Sequence, residues 1–479
     1  MDDDHLIWMP AWKLRELIGD RELSPVELMT CLLDRVDRYQ PVIAPFITIA
    51  HDQAMASARD AENAVMRGDE LGPLHGIPIS IKDLLITKGL RTTAGSLLFE
   101  DHVPEVDSVC SERLKNAGAI IFAKANTPEF GMNRRSVNLV AEESLCPWDT
   151  ERSSGGSSGG SGVAVAAGLG PVSIGSDGGG STRLPSAFNG LFGLQPSRGR
   201  IPVGPRLFDF PLEGIGPMTR DVRDAAITTK VLAGYDTREP WSMQSPPPDY
   251  VAELDKGIGD LRVAWSRDFG RVVPNRTDVI EVIHKTAMAL GQHALVYDEP
   301  DLKIEDPCDM LARDNQFSME KLDAVHPILP GHKHLSTLLA EAQRDPQMWQ
   351  KLNLYVRDRS DRPTQLEYTM AISPKLRRRP NDRLEDIFEK YDLLMSPTIA
   401  RTAFVCNEPG LTPWEYIGYT MIVNMSGYCG VSIPAGFVDG LPVGLHIIAR
   451  PDNEALLLRA ARVVEQILPW AQHKPGLTL

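Results

Sequence analysis

Leu28, Leu32, Leu33 and Val36 recur at helical spacing behind Ser24-Pro25-Val26-Glu27, a capping box with proline in its first turn. They predict a helix, and a second periodic run predicts another over residues 51–67. The pattern then changes. Gly76-Ile77-Pro78-Ile79-Ser80-Ile81-Lys82-Asp83 reads as a short strand ending on a lysine. Further strands are predicted at Ala119 to Ala123 and Pro171 to Gly175. Between those two, Gly162-Val163-Ala164-Val165-Ala166-Ala167-Gly168 reads as a small-residue helix closed by glycine. Ser245-Pro246-Pro247-Pro248 reads as a connector. Strands at Leu261 to Trp265 and His293 to Tyr297 follow it, then polar helices up to Tyr391. The last part alternates: a strand at Leu393 to Met395, a helix at Trp414 to Met425, strands at Val431 to Ile433 and Val443 to Ile448, and a helix from Asp452. Strands alternating with helices predict an α/β layered fold.

The chain has 479 residues, 42% hydrophobic and 24% charged, the balance of a soluble globular protein. Fifty basic against 64 acidic residues leave a net charge of −14, which argues against nucleic acid or an anionic membrane as partner. The acidic start, Met1-Asp2-Asp3-Asp4-His5, predicts no secretory signal, and no apolar run is long enough to span a membrane. Cys31, Cys110, Cys146, Cys308, Cys406 and Cys429 are scattered, with no CxxC pair. A reducing, cytoplasmic location fits that usage.

Glycine is spread unevenly. Ser153-Ser154-Gly155-Gly156-Ser157-Ser158-Gly159-Gly160-Ser161-Gly162 runs straight into the small-residue helix, and Gly175-Ser176-Asp177-Gly178-Gly179-Gly180-Ser181-Thr182-Arg183 follows a predicted strand. Flexible linkers join domains, whereas these clusters lie inside a strand–helix–strand region. A Walker loop would need Gly-Lys-Ser/Thr, and no lysine stands here. Gly168-Leu169-Gly170-Pro171-Val172-Ser173 opens like a dinucleotide fingerprint, but it has serine at the third glycine and precedes its strand. Gly155-Gly156-Ser157-Ser158-Gly159 matches the G-x-S-x-G elbow of an α/β-hydrolase esterase, with His446 as the available base. That elbow needs a strand directly before it, and Cys146 to Ser154 is polar and turn-rich.

Taken with Lys82, the two clusters resemble the amidase signature family, which includes bacterial amidases, fatty acid amide hydrolases and the glutamyl-tRNA amidotransferase catalytic subunit. The family's Gly-Gly-Ser-Ser-Gly-Gly-Ser stands at Gly155 to Ser161, and its Gly-Ser-Asp-x-Gly-Gly-Ser-x-Arg-x-Pro at Gly175 to Pro185. The 24-residue interval between the family's catalytic serines is met by Ser157 and Ser181, and its strand-end lysine by Pro78 to Asp83. Asn126-Thr127-Pro128-Glu129-Phe130, Gly216-Pro217-Met218-Thr219-Arg220, Ser396-Pro397-Thr398 and Gly440-Leu441-Pro442-Val443-Gly444-Leu445 match as well. Ser154, Gly178 and His446 depart from the family's usual proline, threonine or isoleucine, and glutamine. None of these departures removes a catalytic atom.

The resemblance implies a large mixed β-sheet sandwiched between helices, formed by residues 1–479 as one domain. The variable stretch 236–395 would cover the active site. It implies catalysis by Lys82, Ser157 and Ser181, with a cis peptide bond before Ser157 and no cofactor or metal. Gly131 and Met132 are implied as lining of the acyl pocket. The chemistry needs an uncharged lysine. A free lysine has a pKa of about 10.4, and burial without a carboxylate partner lowers it by up to ~3–5 units. Lys82 is therefore expected to be buried among hydroxyls, drawing a proton from Ser181 through Ser157. The N–H groups of Gly178, Gly179 and Gly180 are expected to receive the oxyanion. Ser158 is expected to support this network, and Asp177 and Arg183 to hold the loop as a charge pair.

Other clusters carry less. Asp323, His326, His332 and His334 make no clean four-ligand zinc set. Ser318-Met319-Glu320-Lys321 fits S-x-x-K without its companion motifs. Phe208, Phe210, Trp414 and Tyr419 are equally candidates for pocket or core. The expected activity is hydrolysis of a small-molecule amide, anilide, ester or carbamate, which admits aryl acylamidase and urethanase chemistry. A transamidase component working with partner proteins is the alternative, and self-association into a homo-oligomer is left open.

Overall fold

Pro78–Lys82 is buried at every position, its polar Ser80 and Lys82 as fully as its isoleucines. A strand buried on both faces belongs in the middle of a covered sheet, and that is where the chain puts it. The computed structural model describes residues 3–207, 212–271, 276–304, 335–354, 356–357, 383–406, 408 and 413–477. Eleven strands form one mixed sheet. They are β1 (Phe46–Ile49), β2 (Pro78–Lys82), β3 (Ile120–Ala125), β4 (Val172–Asp177), β5 (Phe192–Gln195), β6 (Gly214–Thr219), β7 (Arg262–Trp265), β8 (Val296–Asp298), β9 (Leu393–Pro397), β10 (Cys429–Val438) and β11 (Leu441–Ala449). Their order is β1-β3-β2-β4-β6-β5-β10-β11-β9-β7-β8. β2 runs parallel to β3 and β4, and β7 runs parallel to β8 and β9. β4 and β6 pair antiparallel.

Ser24 caps the helix Pro25–Ile43, its hydroxyl accepting from the N–H groups of Val26 and Glu27. That hydroxyl also donates across to Glu62 Oε1. The second expected helix is His51–Arg67. Two short helices matter most for function. Gly159–Ala166 and Arg183–Asn189 are buried at every residue, so each glycine-rich cluster runs into a buried helix and is not a linker.

Several expected strands grow or move. Val431 to Ile433 and Val443 to Ile448 are the centres of a long hairpin, β10–β11, turned at Asp439-Gly440 with both residues left-handed. The strand expected at His293 to Tyr297 is shorter and begins at Val296. β1, β5 and β6 are not among the expected strands. β6 carries Pro217 and two glycines, and such residues read as turn until neighbouring strands supply the pairing. The helix expected over Trp414 to Met425 is broken into Pro413–Ile417 and Met421–Ser426. Among the described residues no helix is long and apolar enough to cross a membrane. Phe208, Phe210, the Trp414 side chain, Cys308, the Asp323 to His334 cluster and Ser318 to Lys321 lie outside what is described.

Candidate active site

β2 and β4 are parallel neighbours in register Ile81 to Ile174, and their C-terminal ends carry Lys82 and Ser176-Asp177. This brings the lysine up to the second serine cluster. Lys82 is fully buried, and its Nζ donates to Ser157 Oγ at 2.7 Å and to Ser176 Oγ at 2.8 Å. Burial pushes its pKa down to about 7, and the charges of Glu213 and Asp177 offset part of that fall. An amine at that value is uncharged in a large fraction of molecules near neutrality. Its lone pair can then accept the Ser157 proton. The Gly156–Ser157 peptide bond is cis, as the resemblance implied.

Ser176 is not among the residues expected at the site. It stands between glycine and aspartate inside the recognised motif and looks like framework. Ser158 holds it in place: Ser158 Oγ accepts from Ser176 N–H (3.2 Å) and donates to Ser176 O (2.9 Å). Ser158 N–H in turn donates to Ser181 O (3.2 Å). Ser158 therefore ties both serine clusters together.

Ser181 is the outermost of the three expected catalytic groups. Lys82 and Ser157 are buried, whereas Ser181 is partly exposed. Its hydroxyl has no hydrogen-bond partner among the described residues. Helix Arg183–Asn189 starts just beyond it.

The glycine loop departs from expectation at one position. Gly180 N–H donates to Asp177 Oδ1 at 2.5 Å, so this amide is occupied and leaves the expected set of three oxyanion donors. Gly180 has a φ of +133°, and a Cβ there would lie 2.2 Å from Thr420 Oγ1. Only glycine fits such a position. The N–H groups of Gly178, Gly179 and Ser181 have no acceptor among the described residues. Thr420 Oγ1 donates to Gly179 O at 2.6 Å, which fixes the orientation of that peptide.

Beneath the loop lies a buried ion pair. Asp177 accepts from Arg183 Nε (2.9 Å) and Nη2 (3.0 Å), and from the N–H groups of Thr182 and Arg183. Burial alone would raise the Asp177 pKa; the Arg183 charge and these hydrogen bonds outweigh it and hold the carboxyl at about 2. Arg183 also donates to Asn424 Oδ1 (2.6 Å), and Asn424 Nδ2 donates back to Asp177 O (2.7 Å). The pair is legible in its motif, whereas nothing beside Asn424 in the sequence marks it.

His446 closes this network and loses the role of esterase base. Its Nε2 accepts from Arg183 Nη1 at 3.0 Å, and its Nδ1 lies 3.5 Å from Ser396 Oγ. Burial and the Arg183 charge hold it well below the usual histidine range, so it is neutral. Residues 154–158 follow no strand, so there is no elbow at Ser157. The α/β-hydrolase reading falls on both counts.

Two further residues frame the serines. Tyr416 OH accepts from Gly156 N–H (2.8 Å) and donates to Gly156 O (2.7 Å), clamping the residue before the cis bond. A Cβ on Gly131 would lie 3.4 Å from Ser157 Oγ, so Gly131 does border the site. Met132 is partly buried against an apolar cluster that includes Phe130 and Ile86. Tyr419 is core: it is buried, packs near Phe269, and donates to Arg267 O. Among the described residues no three metal-binding side chains converge.

Sheet, glycine-rich loops and a buried lysine–serine cluster define an α/β enzyme of the amidase class. The model of the Amidase family matches residues 27–458, and the chain belongs to the amidase signature family. It is 34% identical over 486 residues to one of the subunits of the glutamyl-tRNA(Gln) amidotransferase of Moorella thermoacetica, covering 98% of this chain and 99% of that one. Its fold is similar to a bacterial aryl acylamidase of the same family, with TM-score 0.83, 26% identity, and 98% and 99% of the two chains covered. The corresponding amidotransferase chain from Thermotoga maritima superposes with TM-score 0.74, at 26% identity over 95% of each chain.

Proposed function

We propose that the protein is a serine amidohydrolase that cleaves the C–N bond of a carboxamide, anilide or carbamate through an acyl-enzyme on Ser181. The observation that carries this reading is the uncharged-capable amine of Lys82, buried 2.7 Å from Ser157 Oγ. Lys82 takes the Ser157 proton as Ser157 takes the proton of Ser181. Ser181 Oγ attacks the carbonyl carbon, and the N–H groups of Gly178, Gly179 and Ser181 receive the negative oxygen. The leaving nitrogen collects its proton back through Ser157. Water then adds to the acyl carbon by the same relay, and Ser181 is released. Ser157 and Ser181 are not hydrogen-bonded to each other here, and substrate entry is the step that closes that leg.

The test is a fluorophosphonate label combined with a product-resolved panel of aliphatic amides, anilides, esters and carbamates. Ser181→Ala abolishes both labelling and turnover, Lys82→Ala nearly abolishes turnover, and Ser157→Ala lowers it by several orders of magnitude. A variant that keeps more than a tenth of the wild-type rate overturns the assignment.

The 34% identity to an amidotransferase chain over almost the whole length favours a second reading, in which forming the same acyl-enzyme from a carboxamide expels ammonia, and that ammonia passes to a partner-bound acceptor. Turnover of simple amides by the isolated chain supports the plain hydrolase. Activity that appears only with partner proteins supports the transamidase.

A further inference from the structure

Glu129 has no part in the proton relay, yet its carboxyl is buried and fully engaged. Ser96 Oγ donates to Oε1 at 2.5 Å, and the backbone N–H of Asn353 donates to Oε2 at 2.7 Å. These bonds join three segments distant in sequence. Ser96 caps the short helix Leu97–Phe99, its hydroxyl accepting from Leu98 N–H. Glu129 opens the turn Glu129–Gly131, whose last residue borders Ser157 Oγ. Asn353 lies just after the helix Pro346–Lys351. Arg357 closes the C-terminal end of that helix by donating to Leu352 O (2.7 Å) and Gln350 O (2.5 Å), and its charge also faces Glu129. The segment is apolar where it meets the catalytic layer: Leu339, Leu352 and Val356 are buried with Ile86, Phe130 and Leu207. Met132 packs against the same cluster.

The turn is tightly constrained. Phe130 sits at φ +54° and Gly131 at φ +72°. A Cβ on Gly131 would meet Leu84 Cδ1 at 2.9 Å. Glu129 therefore ties the segment that carries Leu339 and Leu352 to the turn that carries Phe130 and Gly131.

We infer that Glu129 is a positioning residue that latches the segment carrying Leu339 and Leu352 onto the Glu129–Gly131 turn, and so sets the apolar wall that selects the acyl group of the substrate. The inference rests on the reading of Ser157 and Ser181 as the reacting pair, and it commits the wall to a bulky apolar acyl group. Glutamine can replace the carboxyl, because its oxygen accepts from Asn353 and its amide nitrogen donates to Ser96 Oγ. Alanine cannot.

The test compares Glu129→Ala, Glu129→Gln and Asn353→Pro, the last removing the donor while leaving the turn intact. Leu352 is extended, with φ −83° and ψ 142°, which a following proline accepts. For an anilide with a bulky apolar acyl chain, Glu129→Ala and Asn353→Pro raise KM at least tenfold. For acetanilide, kcat and KM stay within threefold. Glu129→Gln stays within threefold for both. Amide hydrogen exchange over 335–354 quickens at least tenfold in Glu129→Ala and Asn353→Pro alone. Equal losses on both anilides, or a Gln variant as impaired as the Ala variant, overturn the latch. So does unchanged exchange, which is read without any substrate; a wrong assignment of Ser181 would show instead as fluorophosphonate labelling that survives Ser181→Ala.

Discussion

The Lys82 amine lies 2.8 Å from Ser176 Oγ and 2.7 Å from Ser157 Oγ. Ser176 therefore shares the lysine and orients its nitrogen toward Ser157. It also stabilises the ammonium form by accepting from it. Ser176→Ala is expected to lower kcat by about 10–100-fold, the range of a lost positioning contact. It should also move the acid limb of the pH–rate profile to lower pH, because a charged amine with one acceptor fewer gives up its proton more readily. A kcat/KM profile for wild type and variant reads both effects. A smaller rate with an unmoved limb would mean that Ser176 only fills space.

Lys82 itself makes two linked predictions. The proposed relay needs the neutral amine, so kcat/KM should rise with pH through an apparent pKa near 7, the value to which burial brings this group. Stability follows the same proton. The unfolded lysine titrates about three units higher, near 10.4. Between those values the unfolded chain holds more protons than the folded one, so the lysine's cost is full below pH 7 and fades as pH climbs toward 10. Lys82→Met should remove that cost. The variant is expected to be inactive yet more stable than wild type by about 1–3 kcal/mol at pH 7. The gap should narrow at pH 10, as measured by urea unfolding.

Asp177 and Arg183 support the glycine loop from below, and neither is exposed. Asp177→Asn leaves the guanidinium buried without its counter-charge, a change that costs about 3–5 kcal/mol. It also weakens the anchor of Gly180 N–H, so the loop loosens and kcat falls with it. In the wild type the carboxyl is held at about 2, below its ordinary value. Its contribution is complete above pH 4 and is lost as pH falls toward 2. Chemical unfolding of wild type between pH 5 and 2.5 should show this loss, and the Asn variant should show less of it.

The parts of this site that could be read in the sequence are local in the chain. The glycine–serine clusters, the strand-end lysine and the Asp177–Arg183 pair each sit in a short motif whose residues fix their own geometry. Asn424, Thr420 and Tyr416 reach the same loops from more than 230 residues away, and nothing in their own neighbourhood marks them. Gly180 was misassigned for a related reason. Three successive glycines look equivalent as donors until the Asp177 side chain, folded back beneath them, takes one. The sheet shows the same limit: β2 and β4 announce themselves by isoleucine and valine, while β6 is strand only because β4 and β5 flank it.

His446 gives the sharpest separation between this site and a serine–histidine hydrolase. Its ring is buried, neutral and occupied in accepting from Arg183 Nη1. Glutamine offers a carbonyl oxygen that can accept the same bond. His446→Gln should keep kcat/KM within about threefold and leave the acid limb of the pH profile in place, since Lys82 sets that limb. His446→Leu removes the acceptor and leaves a buried donor short of one partner, which costs about 1–3 kcal/mol in stability. Arg183 Nη1 still donates to Thr420 O at 3.0 Å, so the arginine stays in place and the activity of this variant should fall only modestly. A histidine acting as general base predicts the opposite order, with both variants losing about 10⁴-fold or more in kcat. Measuring kcat and unfolding free energy on the two variants side by side decides between the two chemistries.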